Sequence, residues 1–218
     1  MTKGLGNTLK ISFLSIILGI IFGALAFLLR NSFFLDSSQN KLARGIGKTF
    51  KGIGYIYVDV IRATPMVTQL LIIYFVIFAS VNIDPVFVAV LAFGFNSGAY
   101  VSEIFRAGIQ SIDPGQMEAG RSLGLSRVQT MVYIIVPQAI KNILPTLANE
   151  FIVLIKETAV VGYISVQDLT RGADIIRSLT FEPFLPLIAA AVIYYVIIKF
   201  LTLAIAAFER RLRASDNR

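Results

Sequence analysis

Apolar residues in this chain fall into five long stretches separated by shorter polar segments. Each stretch has about 20 residues or more, and roughly 20 helical residues cross the hydrocarbon core of a bilayer. The pattern therefore predicts an all-α, polytopic membrane protein in which residues 1–218 form a single transmembrane domain. The first stretch is expected to be retained rather than cleaved, because no small-residue cleavage pattern follows it. The predicted spans are Ile11–Leu29, Tyr55–Val81, Val86–Arg106, Val132–Ile155 and Phe184–Phe208.

The composition agrees with a membrane protein and narrows its chemistry. Charged residues make up 15% of the chain, against about 25% in a typical soluble domain. The chain has no cysteine, histidine or tryptophan, which excludes disulfides, thiolate chemistry and histidine as a metal ligand or general base. We therefore expect no catalytic site, no metal site and no cofactor on this chain.

Lysine and arginine are distributed unevenly between the connecting segments. One orientation places thirteen of them on one side of the membrane and four on the other. Because basic residues gather on cytoplasmic loops, we predict a cell-membrane protein with its N-terminus outside and its C-terminus in the cytoplasm. The same rule explains the net charge of +7 without nucleic acid as a partner.

Polar side chains lie near the middle of the second, third and fourth predicted spans. Such residues are costly in the bilayer core and usually face a pathway or a polar partner. We interpret them as the lining of a substrate path, and the alternative is that they only hydrogen-bond between helices. The candidates are Thr68, Gln69, Asn96, Tyr100, Glu103, Asn149 and Glu150, with Lys156 and Glu157 at the outer end of the fourth span.

Local details of the spans give further expectations. Pro65 is expected to kink the second span, and Arg62 to extend toward the cytoplasmic headgroups. Glu103 and Arg106 have the spacing of a helical ion pair. Two Gly-x-x-x-Gly spacings, Gly19–Gly23 and Gly94–Gly98, permit close helix contacts but do not identify the partner helix.

The segment 110–137 differs from the rest of the chain because it is polar and contains helix-boundary signals. Asp113-Pro114 is a typical helix start, with a capping carboxylate before proline. A short helix Gly115–Leu123 is expected to follow, and Gly124 is expected to end it in a left-handed conformation. A short polar helix at the cytoplasmic surface suits docking to another protein, and the alternative is a plain connecting turn.

The same segment resembles the loop that defines permease subunits of binding-protein-dependent ABC importers. The resemblance rests on Glu118-Ala119-Gly120, Gly124 and the closing Ile135-Val136-Pro137. Gly120 stands where the family usually has alanine, and glycine costs a helix about 1 kcal/mol relative to alanine. Other segments resemble the polar amino-acid branch of that family, namely 62–66 with Gln69 and Tyr74-Phe75, 99–109, and 156–158 leading to 162–164.

This resemblance implies a type I importer permease that works by alternating access. The expected partners are a second permease chain (a homodimer, or a sister chain in a heterodimer), two ATPase subunits, a solute-binding protein and membrane lipid. The short helix would be the coupling helix, with Gly115, Glu118, Ala119, Gly120, Arg121 and Gly124 at the ATPase contact.

The substrate implied by the branch is a polar amino acid. Glu103 and Glu150 favour a basic one such as arginine, lysine or histidine, and glutamine or glutamate is the alternative. The chain has no phosphate-binding loop of its own, so ATP hydrolysis is assigned to the partner. An ion-coupled transporter and a membrane-embedded enzyme are the rival classes, and the missing internal repeat disfavours the first.

Overall fold

The computed structural model describes the backbone of residues 1–31 and 41–214, and the side chains of residues 1–31 and 45–212. Within these ranges the protein is helical and contains no strand. Of the basic residues counted above, Lys41, Arg44, Arg213 and Arg218 lie outside the described side chains. The helices are α1 (Thr2–Arg30), α2 (Lys41–Ala63), α3 (Met66–Ile72), α4 (Pro85–Gln110), α5 (Pro114–Ser122), α6 (Arg127–Thr130), α7 (Val136–Glu157), α8 (Leu169–Thr180) and α9 (Leu185–Ala214).

Four helical segments among the described residues are long and apolar enough to cross a membrane. Helices α1, α4 and α9 account for the first, third and fifth predicted spans. The fourth is a continuous stretch over Arg127–Ile164, in which a π-helical turn (Met131–Ile135) precedes α7 and a 3₁₀ helix (Thr158–Ile164) follows it. The helices predicted for these four spans are therefore present, and each is long and apolar enough to cross a membrane.

The predicted second span, Tyr55–Val81, is not one continuous helix. Helix α2 ends at Ala63, and α3 leaves it at a bend of 111°, so the pair counts as a fifth span only if the two halves are taken together. Proline lacks the N–H of a helical hydrogen bond, and its ring disfavours a helical conformation at the residue before it. Pro65 therefore ends one helix and precedes the next, with an extended ψ of 137°. A bend at Pro65 is therefore confirmed, but it separates the span into two helices instead of kinking one continuous helix.

Helices α1 and α4 pack closely because their two Gly-x-x-x-Gly spacings face each other. A Cβ added to Gly23 would lie 2.6 Å from Val101 Cβ, and one added to Gly98 would lie 2.6 Å from Phe22 Cβ. Gly19 and Gly94 are also crowded by the opposing helix, where a Cβ would lie 2.9 Å from Ser97 Oγ and 2.6 Å from Leu18 Cβ, respectively. Since only glycine permits this approach, the motifs mark the contact between the first and third predicted spans.

Helix α8 was not predicted, because it is short, polar on one side and not apolar enough to cross a membrane. Its cap is Asp168, whose carboxylate accepts hydrogen bonds from the backbone N–H groups of Thr170 and Arg171. The N-terminus of α1 is fixed to the same place, since Leu169 N–H donates to Thr8 Oγ1 (3.2 Å) and Asn7 Nδ2 donates to Gln167 O (2.9 Å). The N-terminus and the connection between the last two spans therefore lie on the same side of the protein.

Candidate functional site

Glu103 is the centre of an ion-pair cluster that joins α1, α2 and α4. Arg30 Nη1 donates to Glu103 Oε1, and Arg106 donates to Glu103 Oε2 through both Nε (3.0 Å) and Nη2 (2.6 Å). The Arg62 Nη1 atom lies 3.8 Å from the same Oε2 atom. The expected pair with Arg106 is confirmed, and Arg62, which was expected to reach toward headgroups, lies against this cluster.

The cluster is positively charged overall, because three guanidinium groups surround a single carboxylate. The Glu103 side chain is only 17% exposed and Arg30 only 10%, so their charges are poorly hydrated. Arginine side chains are further supported by aromatic rings: Arg30 Cζ lies 4.6 Å from the centre of the Tyr55 ring, and Arg62 Cζ lies 5.4 Å from that of Tyr100. Glu103 is thus engaged within the protein, which weakens the expectation that it binds a cationic substrate directly.

Two cavities meet at this cluster and share Arg62, Tyr100 and Glu103 in their walls. The first cavity, of about 480 Å³, opens between α1, α2 and α4 and is also lined by Asp59. The second cavity, of about 560 Å³, lies between α4 and α7. Its α7 wall is polar and consists of Asn142, Thr146, Asn149, Glu150 and the apolar Val153.

Glu150 brings a second carboxylate to the wall of the second cavity. Its Oε1 atom accepts a hydrogen bond from the Ser97 hydroxyl at 2.8 Å, and its side chain is half-buried. The structure describes no ion pair for Glu150. This carboxylate, unlike that of Glu103, therefore has no cation bonded to it among the described residues.

Gln69 and Asn96 are buried and bonded to each other, away from both cavities. Asn96 Nδ2 donates to Gln69 Oε1 at 2.9 Å, while Gln69 Nε2 donates to Ile61 O (2.8 Å) and Thr64 Oγ1 (2.7 Å). The Gln69 amide therefore donates to the Ile61 carbonyl, which has no helical partner because Pro65 lacks an N–H, and to the Thr64 hydroxyl, which in turn donates to Val60 O. For these two residues the geometry favours the packing interpretation over the path.

The predicted path residues thus divide into two groups. Tyr100, Glu103, Asn149 and Glu150 meet at the second cavity. Outside the described cavities lie Gln69, Asn96, the exposed Thr68 and Lys156, and the half-buried Glu157.

Several cavity-wall residues were not predicted from the sequence, among them Arg30, Asp59 and Thr146, and neither was Ser97, the hydrogen-bond partner of Glu150. Thr146 lies one helical turn before Asn149, so the polar face of α7 was a usable signal for it. Arg30 ends the first span, and its position gave no sign of a partner 73 residues further along the chain.

The loop between α4 and α7 forms the expected short helix, α5. Asp113 Oδ1 accepts from Gly115 N–H at 2.7 Å and caps its start, and Gly124 has a φ of +86°, a conformation that glycine adopts without strain. Glu118, Ala119, Arg121 and Gly124 are exposed on this helix or at its end. The predicted helix and its glycine terminator are confirmed.

Gly120, the one departure from the family's loop pattern, is buried against α6. A Cβ at this position would lie 2.8 Å from Thr130 Oγ1 and closer still to the Thr130 methyl group. The Thr130 backbone is held by the Ser126 cap, whose Oγ accepts from Gln129 N–H in a reciprocal capping box. Gly120 and Thr130 therefore form a matched small–large pair.

The broken second span, the cavities beside α4 and the short capped helix on one side define a polytopic membrane permease. The chain belongs to the binding-protein-dependent transport system inner membrane component family, whose model matches residues 41–214. It is the permease subunit of an amino-acid ABC importer. This membership decides against the ion-coupled transporter and the membrane enzyme.

Relatives with assigned substrates cover nearly the whole chain. The arginine transport system permease protein ArtQ of Bacillus subtilis (strain 168) is 41% identical over 216 residues, covering 98% of this chain and 93% of that protein. The glutamine transport system permease protein GlnP of Escherichia coli (strain K12) is 35% identical over 221 residues, with 98% and 93% covered. These two relatives differ in substrate, so similarity alone leaves arginine and glutamine open.

Solved structures agree with this assignment. The crystal structure of an amino acid ABC transporter with histidines superposes with a TM-score of 0.84 at 45% identity, covering 95% of this chain and 92% of that chain. An inward-facing structure of the MetNI methionine ABC transporter gives a TM-score of 0.72 at 16% identity, with 97% and 95% covered. The second likeness shows the shared fold alone.

Proposed function

We propose that this permease imports a polar amino acid, with a basic one favoured, through the second cavity. The observation that carries the proposal is Glu150, a carboxylate without a described ion-pair partner on the wall of a cavity that also carries Asn149. A carboxylate in such a wall is stabilised in its ionised form when a cationic side chain binds beside it, because opposite charges attract strongly where water is scarce. Arginine, lysine and histidine fit this requirement, and glutamine or glutamate is the alternative.

The transport cycle we propose is alternating access driven by a separate ATPase. Helix α5 docks on the ATPase through its exposed residues, among them Glu118 and Arg121, and Gly120 keeps it seated against α6. The complete transporter has two copies of this permease, two ATPase subunits and a solute-binding protein on the opposite side. The whole chain acts as one transmembrane domain.

The orientation we propose is an extracellular N-terminus and a cytoplasmic C-terminus in the cell membrane. The excess of basic residues near α5 supports it, because basic loops remain in the cytoplasm. The N-terminus of α1 lies beside the start of α8, on the side where the solute-binding protein would deliver its cargo.

The test is uptake into proteoliposomes that contain the permease, its ATPase and its binding protein. Labelled arginine, glutamine and glutamate are compared for the natural protein, Glu150→Gln and Glu182→Gln. The last variant is a matched control, because it makes the same change at an exposed glutamate that lines none of the described cavities. We expect uptake of arginine, and its selective loss in Glu150→Gln.

Two results would contradict the proposal. Equal uptake of the three amino acids would mean that the permease does not select a basic side chain. Retention of arginine uptake in Glu150→Gln, or equal losses in both variants, would mean that Glu150 has no specific part in substrate binding.

A further inference from the structure

We propose that Arg62 binds the α-carboxylate of the transported amino acid. This inference deepens the proposed function and rests on it, since it takes the second cavity as the substrate site. It names the residue that recognises the common part of every amino acid, whereas Glu150 recognises the side chain.

Glu103 is already bonded by two other arginines and makes no described hydrogen bond with Arg62. Its Oε1 atom accepts from Arg30, and its Oε2 atom accepts two hydrogen bonds from Arg106 at 2.6 and 3.0 Å. Such charge-assisted bonds are the strongest that a carboxylate makes in a protein. Arg62, at 3.8 Å, is a third cation beside a carboxylate that two others already satisfy.

The hydrogen-bond donors of Arg62 are available to a ligand. Among the residues that the structure describes, its guanidinium makes no hydrogen bond, and the side chain is 45% exposed. A guanidinium has five N–H donors in a planar fork that fits the two oxygens of a carboxylate. The Tyr100 ring, 5.4 Å from its Cζ atom, supports the cation on one face while leaving the donor edge free.

The second cavity carries polar and acidic groups on the wall opposite Arg62. Arg62 and Arg106 face it from one side, and α7 contributes Asn149 and Glu150. Arg106 is less available than Arg62, because it donates to Glu103 and also to Gln110 Oε1 at 2.6 Å. A molecule with a carboxylate at one end and a cationic group at the other matches this distribution of charge.

Acidic residues near Arg62 do not remove this match. Asp59 is one helical turn before Arg62 on α2, but it lines only the first cavity. Glu103 lines both cavities and is satisfied by Arg30 and Arg106. A substrate carboxylate would therefore supply the counter-charge that the cluster lacks.

The experiment measures direct binding to the permease–ATPase complex in nanodiscs without the solute-binding protein, which has its own selectivity. Labelled arginine is displaced by unlabelled arginine or argininamide, in which a neutral amide replaces the carboxylate. Losing one charge-assisted pair weakens binding on the order of 10- to 100-fold. We expect argininamide to bind more weakly than arginine by this factor in the natural protein, and Arg62→Gln to reduce the difference to within about threefold.

Two further variants complete the design. Arg177→Gln removes an exposed arginine of α8, far along the chain from the cavity residues, and is expected to leave the preference for arginine unchanged. Arg62→Lys keeps the charge but loses the fork, and is expected to retain part of the preference. If Arg62→Gln binds neither ligand, Arg62→Lys decides: recovered preference for arginine supports the proposal, and absent binding overturns it.

The inference is overturned if Arg62→Gln still discriminates between the two ligands, or if the natural protein does not. Its failure is separate from failure of the proposed function. Citrulline, which has the shape of arginine but a neutral side chain, tests the role of Glu150 in the same assay. Discrimination against citrulline without discrimination against argininamide would contradict the role of Arg62 and support that of Glu150.

Discussion

The contact between Gly120 and Thr130 allows a sharp test of how α5 is held for docking. Gly120→Ala places a Cβ 2.8 Å from Thr130 Oγ1 and closer to the Thr130 methyl group. Overpacking of this kind costs about 1–3 kcal/mol. Alanine also favours a helix over glycine by about 1 kcal/mol, so the single variant combines a cost and a gain of similar size.

A double-mutant cycle separates the two effects. Thr130→Ala removes both crowding atoms, and the next neighbour, Ile134 Cδ1 at 3.2 Å, is the flexible end of a side chain. In that background Gly120→Ala is expected to give only the helix-propensity gain. The propensity term is the same in both backgrounds and cancels in the cycle, so the coupling energy should equal the overpacking cost of about 1–3 kcal/mol.

The assay is the affinity of the nanodisc-embedded permease for its purified ATPase subunit. Docking needs the native position of α5, so the cost of restoring that position lowers the affinity. A coupling energy of 1–3 kcal/mol corresponds to roughly a 5- to 150-fold ratio in the dissociation constant. If Gly120→Ala changes the affinity equally with and without Thr130→Ala, the close contact does not hold α5 and the reasoning is refuted.

Three further predictions concern stability, each measured by thermal unfolding in detergent. Gly98→Val places a Cβ 2.6 Å from side chains of α1 and α2 and should cost about 3 kcal/mol. Gly6→Val lies in open space and should cost nothing, because valine favours a helix more than glycine does; equal losses would contradict the Gly-x-x-x-Gly contact. Glu103→Gln leaves Arg30 and Arg106 without their carboxylate, which should cost about 3 kcal/mol of stability. Because each kcal/mol shifts the Tm of a chain of this size by about 2–4 °C, Tm should fall by about 6–12 °C; an unchanged Tm would show that the cluster does not stabilise the fold. Asp168→Ala removes the α8 cap and should cost about 1 kcal/mol, against about 0.5 kcal/mol or less for Ser178→Ala, an exposed position of the same helix; the reverse order would show that the Asp168 cap does not stabilise α8.

The spans could be predicted because the bilayer requires long apolar helices, and the length of each apolar stretch can be read directly from the sequence. The capped helix α5 was predictable for the same reason, since Asp113, Pro114 and Gly124 are local signals. Helix α8 was not predicted, because a short helix that does not cross the membrane needs neither great length nor full apolarity. The break at Pro65 was underestimated, because a proline in a span produces anything from a mild kink to two separate helices, depending on tertiary contacts such as those of Gln69.

The site could be predicted only in part, because polarity at a given depth does not reveal its partners. Gln69 and Asn96 were grouped with the path residues, yet they satisfy each other and the broken backbone. The charge balance around Glu103 depends on Arg30 and Arg62, which lie 73 and 41 residues earlier in the chain. Only the packing of α1 against α4 brings them together, and the facing glycines that allow this packing do not identify their partners from sequence.

The position of α5 explains how one docking contact can act on the substrate cavity. Helix α4 continues through Ser111 to α5, and α6 leads from it into α7, so α5 connects the two walls of the second cavity. These walls are fastened at that end, because Asn142 Nδ2 donates to Ser111 Oγ at 2.8 Å and Gly108 packs tightly against Ile143. Motion of α5 therefore carries α4 and α7 together. The broken α2–α3 span is also attached to α4, through the ion-pair cluster around Glu103 and the hydrogen bond from Asn96 to Gln69. In the proposed cycle a movement of α5 therefore reaches Arg62 through α4 and Glu150 through α7, so both ends of the bound substrate respond to the same docking contact.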